Sequence, residues 1–299
     1  IDAWSKSNNL NAPREAESLL MEVVDLFLKG DLDEGPNNFT YGAVINCWSK
    51  SNRPEGPSCA LDILKTMISK YKEDSSKNIR PDKVVYSTVM DAYAKQGDVD
   101  GTKKIFSMMK KDYNSGNIYS KPNVRIYNIV IDAWSRSNNP NAPTEAESVL
   151  MEMIDSFVKG DLEDGPNTIT YSTVINCWKK SNRPEGPSRA LDILVTMISK
   201  YKEDGDGNKN IRPNTVTYNT VMDAYAKQGD IDGANKVFTM MKADFESGNI
   251  NSKPNKFTYK ILMEAWNNYS GNRNAPFDIE KVRELINNDN NGDNGLHVH

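Results

Sequence analysis

Apolar positions along this chain follow a pattern that starts afresh six times. Each start is a Pro-Asn or Pro-Asp pair, and a tyrosine follows within a few residues: Tyr41, Tyr86, Tyr127, Tyr171, Tyr218 and Tyr259. Apolar residues then stand at the third, fourth and seventh positions after the tyrosine, as Val44, Ile45 and Trp48 or Val221, Met222 and Tyr225. That spacing is one face of an amphipathic helix. A polar break follows, "KQGD" in the shorter units and "SNRPEGP" or "SNNPNAP" in the longer ones, where Gly and Pro end the helix. A second run with apolar spacing of three and four, such as "GANKVFTMMKADF", predicts a second helix, closed by a Gly/Asn/Pro-rich loop. No such hairpin buries its apolar face alone. The predicted fold is therefore all-α, an α-solenoid of stacked helical hairpins.

The tyrosines are spaced by 45, 41, 44, 47 and 41 residues, and the spacings themselves recur: Tyr41 to Tyr171 is 130, Tyr86 to Tyr218 is 132 and Tyr127 to Tyr259 is 132. Three units have been duplicated as a block. The expected division is a partial repeat over 1–37, five complete repeats over 38–82, 83–123, 124–167, 168–214 and 215–255, a partial or capping repeat over 256–286 and a disordered tail over 287–299. Six residues after each tyrosine stand Cys47, Ala92, Ala133, Cys177, Ala224 and Ala265. Only small residues occur there, as expected where two helices approach closely, so Cys47 and Cys177 read as packing residues. Cys59 matches Arg189 in the duplicate and marks a tolerant, exposed site.

Composition narrows the function. A net charge of −4 argues against a protein that coats polyanions non-specifically. Three cysteines without CxxC spacing disfavour a zinc site and a disulfide framework, and fit a reducing compartment. Apolar stretches such as "SLLMEVVDLFL" are broken by charges well short of a membrane span. Ile1 aligns with Ile131 inside a repeat, so the natural N-terminus and any targeting peptide are expected upstream.

The stretches "PNTVTYNTVMDAYAKQGDIDGANKVFTMM", "PDKVVYSTVMDAYAKQGDVDGTKKIFSMM" and "PNTITYSTVINCWKKSNRPEGPSRALDILVTM" resemble the pentatricopeptide repeat (PPR) family, helical-hairpin solenoids that bind single-stranded RNA. The resemblance covers the chain to about residue 286. The competing tetratricopeptide order, an early Trp, then Leu-Gly and Tyr, with Pro after the second helix, is absent. The family's units are shorter than these, and the extra length lies between the helices and after the second one.

The resemblance implies that each repeat reads one base with two residues, the one after the tyrosine and the one after the proline closing the unit. On this chain the pairs are Gly42 with Asp82, Ser87 with Asn123, Asn128 with Asn167, Ser172 with Asn214, and Asn219 with Asn255. Short hydroxyl and amide side chains suit the edges of unstacked bases. The implied preference, 5′ to 3′, is one permissive base that Asp82 biases toward G or U, then A, pyrimidine, A, pyrimidine. The residue after the tyrosine differs in all three duplicated pairs: Gly42 against Ser172, Ser87 against Asn219, and Asn128 against Lys260. Asp91/Asp223, Lys95/Lys227 and Gln96/Gln228 on the same helices do not differ, which favours retuned base choice over drift. Lys260 lies outside the family's code.

Two residues before the tyrosine stand Phe39, Val84, Arg125, Ile169, Val216 and Phe257. The resemblance makes these the side chains that sandwich bases, with a guanidinium plane in place of an apolar group at Arg125; the structural alternative is first-turn packing. Nine residues after the tyrosine stand Lys50, Lys95, Arg136, Lys180 and Lys227, a candidate phosphate track that the helix dipole alone would also favour. The six first helices carry ten basic residues (Lys50, Lys83, Lys95, Arg125, Arg136, Lys179, Lys180, Lys227, Lys256, Lys260) against four acidic ones (Asp91, Asp132, Asp223, Glu264). The reading is a basic face on an acidic body.

Histidine occurs only at His297 and His299, which disfavours histidine-based catalysis, and acids that recur once per repeat do not converge on a metal. "DGDGN" at Asp204–Asn208 and the Asp289–Asp293 stretch lack the glycine register and closing glutamate of a calcium loop. The expectation is a non-enzymatic protein with no cofactor and no metal, whose partners are single-stranded RNA and other RNA-processing proteins, with neither a membrane nor a small-molecule substrate. The family resemblance adds a mitochondrial or plastid location. Two other readings stay open: a helical-repeat scaffold for a protein or peptide, and the RNA-recognition fragment of a longer enzyme.

Overall fold

The computed structural model describes residues 9, 11–74, 79–203 and 209–268. The N-terminal start, the Asp204–Asn208 stretch, the part of the expected partial or capping repeat beyond residue 268, the tail and both histidines lie outside the described residues. All regular structure among the described residues is helical: α1 (Ala12–Lys29), α2 (Asn38–Lys50), α3 (Gly56–Asp74), α4 (Lys83–Lys95), α5 (Val99–Asn114), α6 (Val124–Arg136), α7 (Ala142–Val158), α8 (Thr168–Lys180), α9 (Gly186–Glu203), α10 (Thr215–Lys227), α11 (Ile231–Glu246) and α12 (Lys256–Asn268), with short 3-10 turns at Ile118–Ser120, Lys209–Ile211 and Ile250–Ser252.

The chain divides into two compact units, residues 1–139 with 151–165, and residues 140–150 with 166–299. In the first, α2, α4 and α6 pack side by side, while α3 and α5 each touch the first helix of their own hairpin and that of the next. In the second, α8, α10 and α12 form the corresponding row, with α9 and α11 behind them. Each unit is an α-solenoid of stacked helical hairpins.

Local sequence explains the helix lengths. Every first helix from α2 to α12 has 13 residues. Its start is set by the residue after proline, which is extended and turns its side-chain oxygen onto the first free backbone amides (Asn37, Asp82, Asn123, Asn167, Asn214). The ends of four of these helices are set by residues that accept left-handed backbone, Gly97 and Gly229 at φ 68° and Asn52 and Asn182 at φ 53° and 51°, whereas α6 ends at Ser137 in extended backbone.

The core follows the repeat. Tyr41, Tyr86, Tyr127, Tyr171 and Tyr218 are all buried, as are the small residues Cys47, Ala92, Ala133, Cys177, Ala224 and Ala265 between neighbouring helices. Cys59 is half-buried rather than fully exposed, while Arg189 at the matching place pairs with Glu147 and lies over the Trp178 ring. Several tertiary contacts are duplicated with the block. Trp48 Nε1 donates to Glu17 and Trp178 Nε1 to Glu147, each at 2.9 Å. The buried amides of Asn117 and Asn249 donate to the carbonyls of Pro81 and Pro213 at 2.7 and 2.9 Å, tying the end of one hairpin to the start of its own first helix.

Gly101 and Gly233, near the starts of α5 and α11, let the rings of Tyr93 and Tyr225 lie against bare backbone. A Cβ at either position would stand 2.1 Å from the tyrosine Cδ1. Gly233→Ala is expected to lower stability by about 2 kcal/mol, read as a lower urea midpoint with an unchanged slope. Burial also pushes the Tyr86 and Tyr218 phenols far above their usual range, and the nearby Asp112 and Asp244 carboxylates add to the effect. Because the folded-state values are raised, this contribution is full below about pH 10 and is lost as pH climbs above that value. Stability should therefore fall steeply in that alkaline range, with tyrosinate absorbance at these positions appearing only as the chain unfolds.

Candidate functional site

On every first helix, four sequence positions share one face because they are three, four and four residues apart. On α4 they are Val84, Ser87, Asp91 and Lys95; on α10 they are Val216, Asn219, Asp223 and Lys227. On α4, α8 and α10 the face thus carries, from helix start to end, an apolar group, a short polar group, an acid or amide, and a cation; Gly42 on α2, Arg125 on α6 and Lys260 and Asn268 on α12 depart from that order.

The apolar members are not core residues: Phe39, Val84, Ile169, Val216 and Phe257 are between 61% and 87% exposed. Arg125, at the same place on α6, is exposed too, with its Nη2 2.9 Å from Asp91 Oδ2 on α4. First-turn packing does not account for this stripe.

The residues after the tyrosine differ in how they are held. Gly42 has open space beyond it, the nearest neighbour of a Cβ there being Val85 Cγ2 at 3.9 Å. Ser87 is buried and donates its hydroxyl proton to its own helix, at Val84 O, 2.9 Å away. Ser172 is half-buried and meets Thr217 Oγ1 of the next first helix at 3.0 Å. Asn128 and Asn219 are half-buried, and Asn219 Oδ1 is enclosed without a hydrogen-bond partner.

Their expected companions have a second task that the base-reading assignment did not include. Asp82 Oδ1 accepts from the backbone amides of Val84 and Val85 at 2.9 and 3.0 Å. Asn123 caps Ile126, Asn167 caps Thr170, Asn214 caps Thr217 and Asn255 caps Thr258, at 3.0 to 3.3 Å. Each is the N-cap of the following first helix, and the signal was present in the sequence: Asn or Asp directly before an amphipathic run. Capping consumes the side-chain oxygen and turns the amide nitrogen of an asparagine away from the helix.

The cations Lys50, Lys95, Arg136, Lys180 and Lys227 all sit exposed in the last turn of their helices. The face is less positive than its count of basic residues suggests. Arg136 pairs with Asp132 at 2.7 Å, Asp223 takes both Lys179 at 3.1 Å and Lys227 at 3.4 Å, and Lys260 stands 3.9 Å from Glu264. These acids also bear on the comparison between the duplicated copies. Asp91 and Asp223 are held by ion pairs, and the Gln96 and Gln228 amides reach the Arg53 and Arg183 carbonyls at 3.4 and 2.8 Å. Their identity in both copies therefore has a structural cause of its own, and no longer argues that the reader positions changed for a separate reason.

Among the described residues no group of three or more His, Cys, Asp or Glu side chains could hold a metal ion, and no helix is long and apolar enough to cross a membrane.

Stacked two-helix units with one repeated face define a helical-repeat protein. Residues 213–267 match the family model described as PPR repeat family, and residues 84–113 match the PPR repeat model. The pentatricopeptide repeat-containing protein At5g25630 of Arabidopsis thaliana is 28% identical over 118 residues, covering 38% of this chain and 18% of that protein. The mitochondrial pentatricopeptide repeat-containing protein At4g32430 of the same plant is 26% identical over 117 residues, covering 38% of this chain and 13% of its own length. This chain thus spans less than a fifth of either relative. A similar solved structure is that of the pentatricopeptide repeat protein PPR10 in complex with an 18-nt psaJ RNA element, with 22% identity and a TM-score of 0.46 over 86% of this chain and 36% of that one. Residues 84–113 and 213–267 are thus similar to pentatricopeptide repeats, the family of the two plant relatives.

The cap asparagines offer a direct test of the local structure. Asn214→Ala is expected to lower stability by about 1 kcal/mol and Asn214→Asp to leave it nearly unchanged, as judged by urea unfolding, because only alanine removes the accepting oxygen.

Proposed function

We propose that the chain binds single-stranded RNA with sequence selectivity, roughly one base per repeat, through the shared face of its first helices. The repeats are those over 38–82, 83–123, 124–167, 168–214 and 215–255, with a further first helix from 256. The observation that carries this reading is the recurrence of an exposed apolar side chain, a short polar one and a cation at fixed spacing on the first helices of three complete repeats, with Gly42 and Arg125 as the single departures on the other two. An apolar plate stacks on a base, a hydroxyl or amide reads its edge, and a cation takes the neighbouring phosphate. Rigid helices capped at a defined residue hold these groups in register.

The proposal includes a non-catalytic role in organellar RNA processing, stability or translation, with other RNA-processing proteins as partners. Similarity to the pentatricopeptide repeat family supports it, and one relative is described as mitochondrial. A second reading, a scaffold for a protein or peptide, draws on the exposed Phe39, Ile169, Val216 and Phe257. Regular interleaving of these groups with cations and short polar residues favours RNA, since a peptide-binding surface does not need a cation per repeat.

Fluorescence anisotropy at fixed salt separates the readings. RNA carrying A-C-A-U should bind more tightly than one with purines and pyrimidines exchanged, and Ser172→Asn should move the preference at the matching base from A to a pyrimidine. Equal, steeply salt-dependent binding of both would reduce the function to phosphate contact, and no binding by the folded chain would leave the scaffold reading.

A further inference from the structure

The two Ser/Asn repeats, Ser87 with Asn123 and Ser172 with Asn214, have the same reader pair yet hold it differently. Asn214 Oδ1 accepts from Thr217 N at 3.0 Å, and this bond fixes the amide orientation, because the backbone N–H needs an oxygen opposite it. Thr217 Oγ1 lies 3.1 Å from the same Oδ1 and must therefore be the donor in that contact. Its own oxygen is left to accept, and Ser172 Oγ, 3.0 Å away, supplies the proton. Both readers of the repeat are thus joined through one fully buried hydroxyl. Ser172 is held between two helices with its lone pairs outward, while the Asn214 amide presents N–H. Together they offer an acceptor beside a donor, the complement of an amine next to a ring nitrogen on the edge of adenine.

In the other repeat the place of Thr217 is taken by Ile126, which is buried and apolar. Ser87 has no hydroxyl to reach there, and turns back onto Val84 O of its own helix. It is only 4% exposed, whereas Ser172 remains half-buried.

We infer that Thr217 is a positioning residue for base selection: it holds Ser172 out for the base and ties it to Asn214, while Ile126 lets Ser87 withdraw, so that identical reader pairs select with different stringency. The inference rests on the RNA-binding reading above. It adds a third determinant to each repeat, the residue immediately before the tyrosine of the following first helix.

The test uses the full chain and five-base RNAs in the expected register, with A at the second and fourth positions replaced one at a time. Replacing the fourth A is expected to cost about tenfold in Kd and replacing the second only about twofold, tenfold corresponding to roughly 1.4 kcal/mol. Thr217→Val, which copies Val85 at the equivalent place in the first block, should bring the fourth position down to about twofold while leaving the helix cap and the unfolding midpoint in place. Thr217→Ser should restore the tenfold discrimination, a rescue that a purely packing role would not give. Equal discrimination at both positions in the parent, or a Thr217→Val variant that keeps it, would overturn the inference with the RNA-binding reading intact. Absence of any base preference in the parent would overturn both.

Discussion

One hydrogen-bonded arrangement sets the rest of this structure: an Asn or Asp that follows proline and closes its side-chain oxygen over the first amides of the next helix. Proline forces the preceding residue into extended backbone, and the cap starts the helix at a defined residue. From Asn37 to Asn255 the same device recurs, and each first helix runs 13 residues from it. The face of a helix is fixed once its start and the burial of its tyrosine are fixed. An exposed side chain at Val216, a polar one at Asn219 and a cation at Lys227 then follow from position alone.

Electrostatics shape that face in a way that counting charges misses. The acids at Asp91, Asp132 and Asp223 lie among the cations and engage Arg125, Arg136, Lys179 and Lys227. The more exposed of these pairs, Arg125 with Asp91 and Arg136 with Asp132, are worth about 0 to 1 kcal/mol, so a phosphate can replace the carboxylate there at little cost. What remains is a surface whose attraction for a polyanion is moderated locally, in keeping with the acidic balance of the chain as a whole. In the proposed function, selection among sequences then falls to the short polar groups.

Much of the architecture was legible in the amino acids. The tyrosine-centred period gave the helices, the small residues Cys47 and Ala224 gave their close approach, and the block duplication gave the repeated packing. Readings that depended on which side chain meets which did not come through. That Asn214 is a helix cap was available from its place before "TVTY", yet the reading of Asn214 as a base contact overshadowed it. That Ser87 folds back while Ser172 reaches across to Thr217 was not available, because both serines sit in the same Tyr-Ser-Thr-Val core of the repeat. The difference lies some 40 residues downstream, where the packing of neighbouring hairpins brings Thr217 to Ser172 and the corresponding Ile126 has no hydroxyl to offer. Likewise, Gln96 and Asp91 look like surface residues until the carbonyl of Arg53 and the guanidinium of Arg125 are seen beside them.

In the proposed function, one asparagine side chain both starts a helix through its oxygen and meets a base through its nitrogen. Heteronuclear NMR of the side-chain amides during RNA titration tests this most directly. The Nδ2 signals of Asn123, Asn214 and Asn255 should shift with RNA while the capped backbone amides of Ile126, Thr217 and Thr258 stay protected from exchange throughout. Bound RNA that leaves those Nδ2 signals unmoved, or that frees the capped amides, would contradict it.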